Sequence, residues 1–208
     1  MAKPTDKNPS LVRLRLALWG LVVIALAVLA WFTLIQPRLQ AQNAAFGPMD
    51  LGHGEYALQT TDGAAFTEDT LKGQPSAVFF GFTHCPDVCP TTLGDILSWQ
   101  EQLGEGGKDL RVYFVTVDPE RDTPEILGDY VSWVPGVQGV TGSVEETQKA
   151  LKAFRIFARK VPSEDGESYS MDHSAMVLLF DAKGNFSGLI GYQEDPEKAL
   201  ATLNRLLG

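Results

Sequence analysis

Charged and apolar positions divide this chain unevenly. No residue from Leu16 to Pro37 carries a charge, and Leu16 to Ile35 alone is 20 residues. That length matches the roughly 20 residues an α-helix needs to cross a bilayer core. Trp19, Trp31 and Phe32 lie toward its ends, where interfacial aromatics are favoured. The pattern predicts a cytoplasmic tail over 1–15, a transmembrane anchor over 16–36, a linker over 37–54 and a folded domain over 55–208. A cleaved signal peptide is the alternative, but its apolar core would be shorter, about 7–15 residues. The preceding Lys3, Lys7, Arg13 and Arg15 favour a cytoplasmic N-terminus, so the domain would face outward.

Beyond Gly54 the periods shorten. Glu55 to Thr67 reads as a hairpin turning at Asp62-Gly63. Ala77 to Phe82 is a continuous apolar run, as in a strand buried on both faces. Pro90 suits a first helical turn, and Leu93, Ile96, Leu97 and Leu103 mark an apolar helix face. Arg111–Val117 is the next strand, followed by a helix over 124–133 with Thr123 as its cap. A short strand over 137–141 leads to Ser143-Val144-Glu145-Glu146, read as a capping box, and a helix to about Arg159. Met176–Phe180 and Phe186–Tyr192 form a second hairpin, and Asp195-Pro196 begins the last helix. This order predicts an α/β fold whose mixed sheet is parallel in the middle and antiparallel at one edge.

Charge narrows the partners. Five of the 17 basic residues and one of the 26 acidic residues fall at or before Arg38, so the remainder carries about −13. That argues against nucleic acid. The two cysteines, Cys85 and Cys89, stand four apart where the apolar run meets the helix. In an outward-facing domain the default would be a structural disulfide. A pair this close would shut a very short loop, which stabilises little, so chemistry is the better reason for it. The C-terminal end of a central strand is also where open α/β sheets place ligands.

His173 lies far along the chain, beside Asp172. Two thiolates and an imidazole suit copper, and tolerate zinc. Zinc with three protein ligands would suggest hydrolysis, and no accompanying general base is evident. The alternative is a redox pair acting by thiol–disulfide exchange, which leaves His173 unexplained and has a three-residue gap where two are expected. A copper or redox sensor is a further alternative. His84 adjoins Cys85 and is expected to support the thiols rather than ligate. Asp118 and Asp172 could orient the ligands. Met171 is expected in the core and His53 in solvent.

The motifs VFFGFTHCPDVCPTTL (Val78–Leu93), VTVDPERDTPE (Val115–Glu125) and YSMDHS (Tyr169–Ser174) make the chain resemble the SCO/SenC family of membrane-anchored copper proteins. The resemblance covers the outer domain, with the three motifs in family order. It implies a thioredoxin-like fold and copper, as Cu(I) or Cu(II), held by Cys85, Cys89 and His173. It also implies delivery of that copper to the Cu(A) site of a cytochrome c oxidase subunit, or reduction of that site's cysteines. The protein would then sit in the inner membrane as a single pass with its domain in the periplasm, where other copper carriers are expected partners.

Overall fold

The computed structural model describes Leu16, residues 18–22, Ile24, Val28 and Trp31, then residues 50–163 and 168–208. The chain divides into two compact units, Met1–Gly47 and Pro48–Gly208. In the first, Leu16, Leu18, Trp19, Leu21, Val22, Ile24 and Val28 are helical and expose their side chains. Among the described residues no helix is long and apolar enough to cross a membrane. The rest of the expected tail, anchor and linker up to residue 49 lies outside the described residues.

Among its described residues the second unit carries nine strands and four α-helices. The strands are β1 (Leu58–Thr60), β2 (Ala65–Phe66), β3 (Ser76–Gly81), β4 (Arg111–Thr116) and β5 (Val137–Thr141), then β6 (Ala158–Pro162), β7 (Tyr169–His173), β8 (Met176–Phe180) and β9 (Phe186–Gly191). The helices are α1 (Val88–Leu103), α2 (Pro124–Val131), α3 (Val144–Ala153) and α4 (Pro196–Leu207). Seven strands form one sheet in the order β2-β1-β5-β4-β3-β8-β9. The β3–β4 and β4–β5 pairs are parallel. β3–β8 and β1–β5 are antiparallel, so antiparallel pairing flanks the parallel centre on both sides rather than at one edge. The N-terminal hairpin is the cause, because it adds to the sheet beside β5.

Every residue of β3 is buried, which explains its unbroken apolar run. Phe79, Phe80, Phe114, Phe154 and Phe180 are buried with it, and Phe154 meets Phe180 edge-on at 5.7 Å between ring centres. The first hairpin turns as expected, with Gly63 at φ +88°, a backbone that residues bearing a Cβ rarely adopt. Thr123 accepts from the Ile126 N–H at the start of α2, with Pro124 at its first position. At α4, the Asp195 carboxylate accepts from the N–H groups of Glu197 and Lys198.

Two local expectations require correction. The helix expected to reach Arg159 ends at Ala153. Phe154 follows and Arg155 turns the chain at φ +54°, an unusual conformation for a non-glycine residue. The chain then forms β6, which pairs antiparallel with β7 in a separate two-stranded sheet. At the start of α3 only half of the capping box forms. Ser143 accepts from the Glu146 N–H at 3.1 Å, but the Glu146 carboxylate accepts from the Ala57 N–H at 2.7 Å instead of turning back.

Candidate metal centre

Three elements meet at the C-terminal end of β3. The strand stops at Gly81, whose carbonyl accepts from the Val117 N–H at 2.8 Å. Phe82 to Cys85 makes a turn closed by the Cys85 N–H on the Phe82 carbonyl at 3.3 Å. Helix α1 begins at Val88, so Cys89 is its second residue. There its N–H has no partner within the helix and donates to Cys85 Sγ at 3.4 Å. The third element is β7, which ends on His173.

His173 Nε2 lies 3.7 Å from Cys89 Sγ. One ligand atom each from Cys85, Cys89 and His173 lies within 4.8 Å of the others, close enough to hold a metal ion. The ring is set by its neighbours. Nδ1 donates to the Ser174 carbonyl at 3.0 Å, which leaves the Nε2 lone pair facing the sulfurs. Phe82 meets the imidazole edge-on at 5.7 Å and Phe79 at 6.4 Å. Ser174 in turn bonds Phe157 twice, N–H to carbonyl at 3.0 Å and Oγ from the Phe157 N–H at 3.1 Å. The β6–β7 hairpin thus carries His173 to the cysteines.

The two sulfurs differ. Both are free thiols, Cys85 half-buried and Cys89 fully buried. Hydrogen bonding from Cys89, first through its thiol and also through its N–H, pulls the Cys85 thiol well below its ordinary range against the effect of burial. The same interaction with Cys85, together with burial, pushes the Cys89 thiol up. The two directions oppose, so the outer sulfur is the readier to become a thiolate and the inner one the readier to keep its proton. Thiolate is the form that ligates metal and attacks disulfides.

Around this group the expected supporting residues separate. Asp118 is buried, accepts from Tyr169 Oη at 2.9 Å and pairs with the Arg121 Nε. Arg121 also donates to the Tyr169 carbonyl at 2.9 Å and lies 3.8 Å over its ring. Asp118 therefore holds the start of β7 against the end of β4. Asp172 is not brought to the site. It alternates away from His173 on β7, is exposed, and pairs with Arg159 of β6 at 2.6 Å. His84 is exposed, with Nδ1 3.0 Å from Thr83 Oγ1. Met171 packs against the core, as expected. His53 is half-buried, 3.6 Å from Glu68, rather than in open solvent.

Two residues escaped the sequence reading. Asp122 is wholly buried and accepts from the Thr83 N–H at 3.1 Å, Thr83 Oγ1 at 2.6 Å and Thr116 Oγ1 at 2.6 Å. It fastens the turn that carries Cys85 to the end of β4. In the sequence it is one acidic residue among several before a helix cap, with nothing to single it out. The other is Gly81, where an added Cβ would lie 2.8 Å from Cys89 Sγ. A glycine at the end of an apolar strand is a readable mark of close backbone approach.

The fold and site define a mixed α/β protein of thioredoxin-like type with a cysteine–cysteine–histidine group on the rim of its sheet. A family model described as SCO1/SenC matches residues 47–208, and the chain belongs to that family. It is 36% identical over 166 residues to "Protein SCO1, mitochondrial" of Saccharomyces cerevisiae, a match covering 76% of this chain and 56% of the relative. It is 32% identical over 201 residues to "Protein SCO2 homolog, mitochondrial" of Homo sapiens, covering 93% and 75%. The chain thus spans little more than half the length of its yeast relative. Among solved structures, copper-bound ScoI of Bradyrhizobium japonicum is similar at 40% identity with a TM-score of 0.68, covering 75% of this chain and 99% of that one. Copper-bound yeast Sco1 is similar at 33% identity and TM-score 0.68, covering 75% and 87%.

Proposed function

We propose that this protein carries copper, held by Cys85, Cys89 and His173, to the Cu(A) site of a cytochrome c oxidase subunit. The observation that carries the reading is the convergence of two sulfurs and one imidazole nitrogen within 4.8 Å. Soft thiolates with an imidazole suit copper, and the similar ScoI of Bradyrhizobium japonicum and yeast Sco1 have been solved with copper bound. A half-buried outer sulfur suits a cargo that must leave, since ligands of the acceptor can displace this chain's ligands one at a time. The uncharged stretch over 16–36 and the exposed apolar helical residues within it support an inner-membrane anchor. The domain then works in the periplasm, supplied by other copper carriers there.

A second reading rests on the unequal thiols. An outer sulfur readier to become a thiolate beside an inner one readier to keep its proton is the arrangement of an exchanging pair. Cys85 would attack a disulfide of the acceptor, Cys89 would release the mixed disulfide, and this chain would end oxidised with the acceptor's two thiols reduced.

One experiment separates them. Full-length protein loaded with Cu(I) is mixed with a copper-free, thiol-reduced Cu(A) domain, and copper-free protein with the same domain in its disulfide form. Copper appearing on the acceptor in the first mixture supports delivery. Thiols appearing in the second, with no copper movement in the first, would replace delivery by reduction.

A further inference from the structure

Resting on the copper reading of the site, we propose that Arg121 is a positioning residue: its guanidinium sets His173 at working distance from the two sulfurs. The need for such a residue comes from the topology. Cys85 and Cys89 follow β3 at the start of α1, on the seven-stranded sheet, whereas His173 ends β7 in the separate two-stranded sheet. Strand pairing inside either sheet does not fix the 3.7 Å between His173 Nε2 and Cys89 Sγ. Contacts between the two sheets must do so.

Arg121 makes such contacts from a third place, the loop between β4 and α2. Its Nε pairs with the buried Asp118 carboxylate, which anchors it to the end of β4. Its Nη1 donates to the Tyr169 carbonyl at 2.9 Å, and its Cζ lies 3.8 Å over the Tyr169 ring. The first residue of β7 is thus held by both backbone and side chain. The same Cζ lies 6.0 Å from the centre of the Phe82 ring, at the outer reach of a cation–π contact. Phe82 is buried, and its ring meets the His173 ring at 5.7 Å and 89°. One cation therefore reaches His173 by two routes, along β7 from Tyr169 and through the Phe82 ring. A planar guanidinium can do all of this at once, and an ammonium cannot. Lys160 Nζ also stands 4.6 Å from the Tyr169 ring, but it is exposed and paired with Glu120, where such contacts are worth less. The cysteine turn is secured separately, since Asp122 accepts from both the Thr83 N–H and its hydroxyl. Loss of Arg121 should thus fall on the imidazole and spare the sulfurs.

That asymmetry is read by a double-mutant cycle. Cu(I) affinity of reduced full-length protein in detergent is measured by competition with the chelator bicinchoninate. Wild type, Arg121→Gln, His173→Ala and the double variant are compared, with circular dichroism to confirm that each is folded. Arg121→Gln is expected to weaken binding about 10–100-fold, the range for residues that orient a metal ligand. Once His173 is replaced, the same substitution should change affinity less than about threefold, because the group it acts through is gone. Arg121→Lys keeps the charge without the fork and should behave as Gln. Asp195→Ala, which removes the α4 cap, should leave affinity unchanged and so controls for lost stability. A second readout uses no metal. In copper-free reduced protein, Arg121→Gln should move the His173 ring-proton resonances toward their positions in Phe82→Leu, where the Phe82 ring current is absent, while Asp195→Ala leaves them in place. Losses that multiply in the double variant, wild-type affinity in Arg121→Gln or Arg121→Lys, or unmoved His173 resonances would each overturn the proposal. Wild-type protein that binds no Cu(I) would instead remove the copper reading, and the copper-free spectra would still decide whether Arg121 sets the ring.

Discussion

Gly81→Ala is the substitution through which the geometry of the fold speaks most directly about the site. The added methyl carbon would lie 2.7 and 2.9 Å from Phe114 Cζ and Cε2, and 2.8 Å from Cys89 Sγ. Restoring an ordinary contact of about 3.5 Å therefore requires movement of roughly 0.7 Å. Neither neighbour yields easily. Phe114 is fully buried and wedged between Phe79 and Tyr130, each 5.6 Å away between ring centres. Cys89 is fixed in the first turn of α1. Overpacking of this kind costs about 1–3 kcal/mol, which in a domain of this size lowers Tm by roughly 2–12 °C. The assay is thermal unfolding of copper-free reduced protein beside copper retention after desalting. Both should fall, because relief of the clash pushes the Cys89 sulfur out of register with His173. Adding Phe114→Leu should recover part of the lost stability without restoring retention, since the contact with sulfur remains. A Gly81→Ala protein that melts and holds copper as the wild type does would refute the packing argument.

Other expectations follow from the same contacts. Because Cys85 is the readier to become a thiolate and Cys89 the readier to keep its proton, iodoacetamide at pH 5–6, where an ordinary thiol is protonated, should alkylate Cys85 alone. Peptide mapping that finds equal labelling, or none, would contradict that order. Asp118→Asn leaves Arg121 without its carboxylate and weakens the grip on Tyr169. It should cost about 1.5–3 kcal/mol in denaturant melts and reduce copper retention, whereas Asp172→Asn should leave retention unchanged. Asp195→Ala removes the cap of α4 and should cost about 1 kcal/mol with no effect on copper, checked by the same two measurements.

What could be read from the sequence was whatever had a local cause. The apolar run of β3, the Asp62-Gly63 turn and the Thr123-Pro124 helix start each carry their signal within a few residues, and the structure has them. The cysteine loop was legible for the same reason, since strand, turn and helix start are contiguous there. The β6–β7 hairpin was not. Its turn out of α3 passes through Arg155 at φ +54° where a glycine would have announced it, and in Ala158–Pro162 the consecutive Arg159 and Lys160 are both exposed, so no apolar–polar alternation marks the strand. The half-formed capping box failed because Glu146 found a tertiary donor, the Ala57 N–H, 89 positions away. Asp122 and Asp172 show the limit from both sides. Adjacency to a ligand suggested Asp172, but strand alternation turns it away. Distance in sequence hid Asp122, which three hydrogen bonds tie to the site's foundations.

The proposed function requires that two sulfurs and one imidazole act as a single copper site. It is tested most directly by metal analysis of reduced full-length protein after Cu(I) loading and desalting, wild type against His173→Ala, with circular dichroism to confirm that both are folded. One copper per chain is expected in the wild type and little in the variant. Equal retention in the two would contradict it, because His173 would then have no part in holding the metal.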